Sequence, residues 1–127
     1  MYNLVKATKS LSDDTRIRII NVLLIRECCV CEVMQALQIS PTRASRNLSM
    51  LYDAGFLKMR KEGLWTLYSL KDEGMPGHLM KLVEAVALAL ENNQVAREDR
   101  DRLKIASRTG IACLNPGKNS CSKVVAK

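Results

Sequence analysis

A chain of 127 residues, 47% of them hydrophobic, is long enough for one domain with a single core, and with only five aromatic side chains that core must be filled by Leu, Ile, Val, Met and Ala. No stretch approaches the roughly 18 apolar residues of a membrane span, and Met1 to Ser10 carries Lys6 and Lys9 in place of the apolar run of a signal peptide, so a cytoplasmic protein is expected. The net charge of +7 is unevenly spread: residues 41 to 71 hold six basic and two acidic side chains, a patch that suits a polyanion such as DNA.

Tyr2 to Ser10 reads as a short amphipathic helix that needs a partner surface. Ser12 is a good N-cap, Asp13 and Asp14 suit the first turn, and Ile17, Ile20, Leu23 and Leu24 recur at helical spacing to about Ile25. After a connection at Arg26 to Cys28, a second helix from about Cys29 to Leu37 would bury Val30, Val33, Met34 and Leu37. Ser40 can cap the next helix and Pro41 fits its first position; it runs to about Asp53 and is ended by Gly55. Its inner face is Ala44, Leu48 and Leu51, with Thr42, Arg43, Ser45, Arg46 and Ser49 outside. Two short helices joined by a tight turn, the second polar and basic outside, describe a helix-turn-helix, in which the arginines reach guanine edges or phosphates and the hydroxyls hydrogen-bond either.

Phe56 to Leu70 changes period and reads as a β-hairpin with Gly63 in its turn. Arg60 and Lys61 form its basic tip, a wing touching backbone phosphates. Beyond Gly77 a helix of about 20 residues carries apolar side chains on more than one face, from Leu79 to Leu90, which predicts a dimer interface formed with the first helix. Residues 97 to 108 are dense in both charges and extend that helix. The expected fold is mainly α with a small β-hairpin, a dimeric winged helix-turn-helix over residues 1–108, followed by a flexible tail at 109–127 carrying Cys113 and Cys121.

Three of the five cysteines, Cys28, Cys29 and Cys31, fall within four residues. Packing rarely needs adjacent cysteines, and a soft-ion or redox role is the alternative to burial. Successive helical residues turn by about 100°, so if both Cys29 and Cys31 were helical they would point apart, whereas Cys28 and Cys31 can share a face. Binding one ion through Cys29 and Cys31 would then require an unwound first turn. The helix start should also lower the thiol pKa, with Glu27 and Glu32 opposing.

Several of these segments carry a family pattern: Leu11-Ser12-Asp13-Asp14-Thr15-Arg16, then Glu27 with Cys29-Val30-Cys31-Glu32, then Ser45-Arg46, Leu51 with Ala54-Gly55, and Arg60-Lys61-Glu62-Gly63 with Tyr68. Over about residues 10 to 95 the chain resembles the ArsR/SmtB family of winged-helix metal-sensing repressors. The resemblance implies a homodimer that holds double-stranded operator DNA when ligand-free and releases it when a thiophilic ion binds. It places Cys29 and Cys31 on the cysteine pair of the arsenic-type sensors, with As(III), Sb(III) or a trivalent organoarsenical as inducer and no cofactor required. The third cysteine of those sensors is Met34 here, leaving Cys28, Cys113 or Cys121 as the available third ligand, and the usual recognition-helix histidine is Asn47. His78, the only histidine, does not make a second, zinc-type site.

Two other readings use the same cysteines. A redox or persulfide sensor would keep the DNA-binding machinery and oxidise Cys28, Cys29 or Cys31. A thiol oxidoreductase would need its Cys-x-x-Cys after a strand, where this chain reads as helix, and an arsenate reductase would need Arg six residues after a Cys, where Met34, Gln35, Leu37, Asn119 and Lys127 stand. Neither enzyme is expected.

Overall fold

The computed structural model describes residues 1–108, in the order α1 (Tyr2–Ser10), α2 (Asp14–Leu23), α3 (Val30–Leu37), α4 (Pro41–Asp53), β1 (Leu57–Glu62), β2 (Trp65–Leu70), α5 (Gly77–Ala89) and α6 (Gln94–Ile105). The tail cysteines Cys113 and Cys121 lie outside the described residues. Among the described residues no helix is long and apolar enough to cross a membrane. The core is aliphatic: Ile19, Ile20, Leu37, Leu48, Leu51, Leu57 and Leu67 are fully enclosed around a single Phe56.

The helix-turn-helix forms where capping chemistry predicts it. Ser40 Oγ accepts from the backbone N–H of Arg43 at 3.1 Å, and Pro41 opens α4, where its missing N–H leaves nothing unpaired. At the other end Gly55 has φ 96°, its N–H donates to the carbonyl of Tyr52, and the N–H of Phe56 reaches back to Leu51. This paired closure is the Schellman motif, which needs a left-handed residue after the cap. A Cβ on Gly55 would also lie 3.2 Å from Leu79 Cδ1, so α5 leaves little room for a side chain there. One expectation moves by a residue: Asp13, not Ser12, caps α2, accepting from Arg16 N–H at 3.2 Å, while Ser12 Oγ donates to Thr8 O beyond the end of α1.

The hairpin is antiparallel with Glu62 opposite Trp65, so Gly63-Leu64 is the two-residue loop, and Gly63 takes φ 61° at its first position. Arg60 and Lys61 therefore sit within β1, opposite Leu67 and Thr66, and not at the tip. Cys28 adds a third rung: its N–H donates to Tyr68 O at 2.9 Å and its carbonyl accepts from Tyr68 N–H at 2.8 Å.

The long C-terminal helix divides. The α5 helix spans 13 residues, and a new helix begins after Asn93, whose Oδ1 accepts from Ala96 N–H at 3.0 Å. This capped break lets α6 fold back over α2 and α3 instead of prolonging α5. Only Leu79 and Val86 of α5 are buried, while Met80 and Leu88, with Tyr2, Leu4 and Val5 of α1, remain exposed.

Candidate thiol site and nucleic-acid interface

The thiol-bearing segment sits where three parts of the fold meet: the wing through Cys28, α3 through Cys29, and α6 through Glu32. Cys29 is not helical. It is the N-cap of α3 with φ −85° and ψ 171°, which corrects the expectation of a helix beginning at this residue. The cap is reciprocal: Glu32 Oε1 accepts the Cys29 N–H at 2.9 Å, while Cys29 Sγ faces the backbone N–H groups of Cys31 and Glu32. The turn between the two cysteines is thus already open at its first residue, and a ligand shared by them does not have to unwind a complete helical turn.

The thiol acidity runs opposite to expectation. Burial pushes Cys28 up to about 12, with the Glu32 carboxylate adding to it. Burial likewise raises Cys29 to about 11, although the N–H groups of Glu32 and Cys31 pull it partly back. The helix start does favour thiolate, but removing the sulfur from water costs more than those two N–H groups return. Cys31 is fully buried. Among the described residues no three Cys, His, Asp or Glu side chains are grouped so as to hold a metal ion.

Glu32 is the polar centre of this region, and periodicity alone gave it no such role. It is 3% exposed and paired with Arg26 and with Arg108 Nε at 3.1 Å. Burial opposes its charge, yet the hydrogen bonds from Arg26, the Cys29 N–H and Arg108 outweigh it and hold the carboxyl below its ordinary value. Arg26 also donates to the carbonyls of Leu103 and Ala106, which ties the start of α3 to the end of α6. At the far end of α3, Arg18 donates to Leu37 O and Arg102 to Ala36 O, and both arginines converge on the fully buried Asp99. Gln35 and Ser107 close the seam with two further bonds.

On α4, Thr42, Arg43, Arg46 and Ser49 are exposed and Ser45 is half-buried. They divide by their partners. Arg43 Nη2 donates to Thr15 Oγ1 at 2.7 Å, whereas Arg46 has no hydrogen-bond partner among the described residues. Asn47 faces inward, its Nδ2 donating to Arg43 O and its Oδ1 accepting from Arg16, which also donates to Ser10 O. Arg16 thereby staples the end of α1 to α4. In the wing, Lys61 is exposed and Arg60 is held in a fork by Glu27. Val33, Met34 and Leu37 share one buried cluster with Ala44, Leu48 and Leu51, so α3 bears directly on the helix that presents Arg46.

Residues 13–59 match the family described as "Bacterial regulatory protein, arsR family". The chain is 44% identical over 84 residues to the cadmium resistance transcriptional regulatory protein CadC homolog of Staphylococcus aureus, a match that takes in 65% of this chain and 66%, just under two thirds, of that regulator. To the arsenical resistance operon repressor of Escherichia coli K12 it is 33% identical over 115 residues, covering 90% of this chain and 92% of the repressor. Among solved structures it is similar to the homodimeric winged helix-turn-helix DNA-binding domain Mb0332 of Mycobacterium bovis, at TM-score 0.59 and 23% identity over 72% of this chain and 82% of that domain.

Proposed function

The chain belongs to the arsR family of bacterial regulatory proteins, and from that membership we propose a repressor that holds operator DNA as a homodimer and releases it when As(III), Sb(III) or a trivalent organoarsenical binds Cys29 and Cys31. Membership in this family makes the chain a regulator of transcription and not an enzyme. The observation that carries the sensing role is the position of Cys29 as the sulfur cap of α3, two residues before Cys31, on a helix packed against the recognition helix. The exposed apolar side chains of α1 and α5 supply the surface for a second copy.

The raised pKa values of the Cys28 and Cys29 thiols support this inducer class. Arsenite enters as As(OH)3, and each As–S bond forms as a hydroxide leaves with the thiol proton as water, so a buried thiol such as Cys29, pushed up to about 11, carries little penalty. Cadmium, the ion in the name of the staphylococcal relative, must instead expel a proton from each thiol into solvent, and its affinity at neutral pH falls accordingly. Two thiols suffice for a monosubstituted arsenical. A third thiolate, from Cys28 by rearrangement or from Cys113 or Cys121, would serve inorganic arsenite.

The test is a footprint of the reduced protein on its own promoter. A protected palindrome that disappears on addition of As(III) is the expected result, and no protected palindrome would sink the repressor reading. Arg46→Ala should weaken specific binding roughly tenfold, about 1.4 kcal/mol, because its guanidinium is exposed and has no competing partner among the described residues. Lys61→Ala should weaken all DNA sequences alike and lower the salt slope of binding; an unchanged slope removes Lys61 from the phosphate contacts.

The clustering of Cys28, Cys29 and Cys31 also suits a second reading, in which a peroxide takes two electrons and two protons from a pair of these thiols to form a disulfide at the same switch. Release of the operator by peroxide with no response to As(III) would select it.

A further inference from the structure

We propose that Glu27 is a positioning residue that transmits occupancy of the thiol site to the wing by holding Arg60. This rests on the sensing role assigned above to Cys29 and Cys31 and adds a second route to DNA, separate from the packing of α3 on α4.

The connections form a closed ring. Cys28 exchanges both backbone hydrogen bonds with Tyr68 of β2. Tyr68 lies opposite Met59 of β1 in the hairpin register, and the next residue along β1 is Arg60. Arg60 returns to the thiol segment, donating from Nε to Glu27 Oε2 at 3.0 Å and from Nη2 to Oε1. Glu27 is thus fixed to the wing by its side chain, and Cys28 by its main chain. The next residue is Cys29, the sulfur that a ligand would take from its place over the start of α3. Glu27, Cys28 and Cys29 are consecutive, so drawing Cys29 toward a ligand displaces both anchors together.

The chemistry of the fork makes that displacement consequential. A guanidinium presents a planar pair of donors that a carboxylate or a phosphate satisfies equally well. Glu27 and a DNA phosphate therefore compete for Arg60, whose side chain is 52% exposed. While Glu27 holds it, Arg60 braces the wing and leaves Lys61 to face the backbone. Once the thiol segment moves, the brace moves with it and the wing loses the pose in which Lys61 meets phosphate.

Trp65, the only tryptophan, begins β2 and reports on the wing without DNA present. The test compares reduced wild type with Glu27→Gln and Glu27→Asp in three measurements: As(III) binding to free protein, Trp65 emission during that titration, and operator affinity with and without As(III). Wild type should change its Trp65 emission on binding and lose operator affinity. Glu27→Gln should bind As(III) within threefold of wild type and melt at the same temperature, while the As(III)-induced loss of operator affinity shrinks at least fivefold and the emission change with it. Glu27→Asp, which keeps the charge, should recover part of both. Unchanged emission and release in Glu27→Gln would overturn the Glu27 route and leave the thiol site standing. A wild type that binds no As(III), or binds it without losing operator affinity, would overturn the sensing role and this route together.

Discussion

A protein carrying Cys29→Ser together with Cys31→Ser should hold its operator as tightly as wild type and fail to release it when As(III) is added. Serine preserves the local structure: its hydroxyl caps a helix better than a thiol does, so the bond from the Glu32 N–H and the reciprocal bond from the Cys29 position survive. What disappears is the pair of soft donors. Coupling between two sites in such proteins typically amounts to about 1 to 3 kcal/mol, a change of roughly 5- to 150-fold in operator affinity, and all of it should vanish. The same linkage requires that As(III) bind DNA-bound wild type more weakly than free wild type, by the factor through which it weakens DNA binding. Operator affinity measured for both proteins with and without As(III) decides the matter, and normal release by the double variant would move the sensing thiols away from α3.

Asp99→Ala should be the most destabilising exchange of a charged residue in the described chain, at about 3 kcal/mol, or roughly 10 °C in melting temperature. The carboxylate is fully buried and receives Arg18 through two bonds, at 2.8 and 2.9 Å, and Arg102 through a third at 2.7 Å. Removing it leaves two guanidinium groups clustered against the seam between α6 and the end of α3. Both arginines retain some solvent, with side chains 22% and 28% exposed, which places the cost at the lower end of the range for breaking a buried pair. The Lys58–Asp72 pair is the contrast, since both partners are largely exposed and solvent screens them. Asp72→Asn should leave the urea midpoint where it was. Equal midpoints for Asp99→Ala and wild type would mean that α6 does not hold α3 in solution.

Much of the fold was legible because its signals are local. Ser40 and Pro41 at one end of α4 and Gly55 at the other mark a helix through atoms no more than five residues apart, and the structure places its limits at Pro41 and Asp53. Gly63 located the hairpin loop for the same reason, while the shift of Arg60 and Lys61 from tip to strand followed from a register that only cross-strand pairing determines. The break at Asn93 was not read from the sequence, because the charged face beyond it fits a prolonged helix until a surface is available for it to fold against.

The thiol site divides along the same line. The sequence by itself determined that three cysteines stand together at a helix start in a DNA-binding family. The tertiary structure decided that Cys29 caps the helix instead of entering it, because the segment before it is pinned to Tyr68, 40 positions along the chain from Cys28. It also decided the acidity of the thiols. A helix start is a local feature and favours thiolate, whereas burial arises only from tertiary packing, and burial prevails. Local periodicity reaches four or five residues, while the ion pair that seats α6 joins Arg18 to a partner 81 positions away, so the pattern that builds each helix contains no information about which charge it will meet.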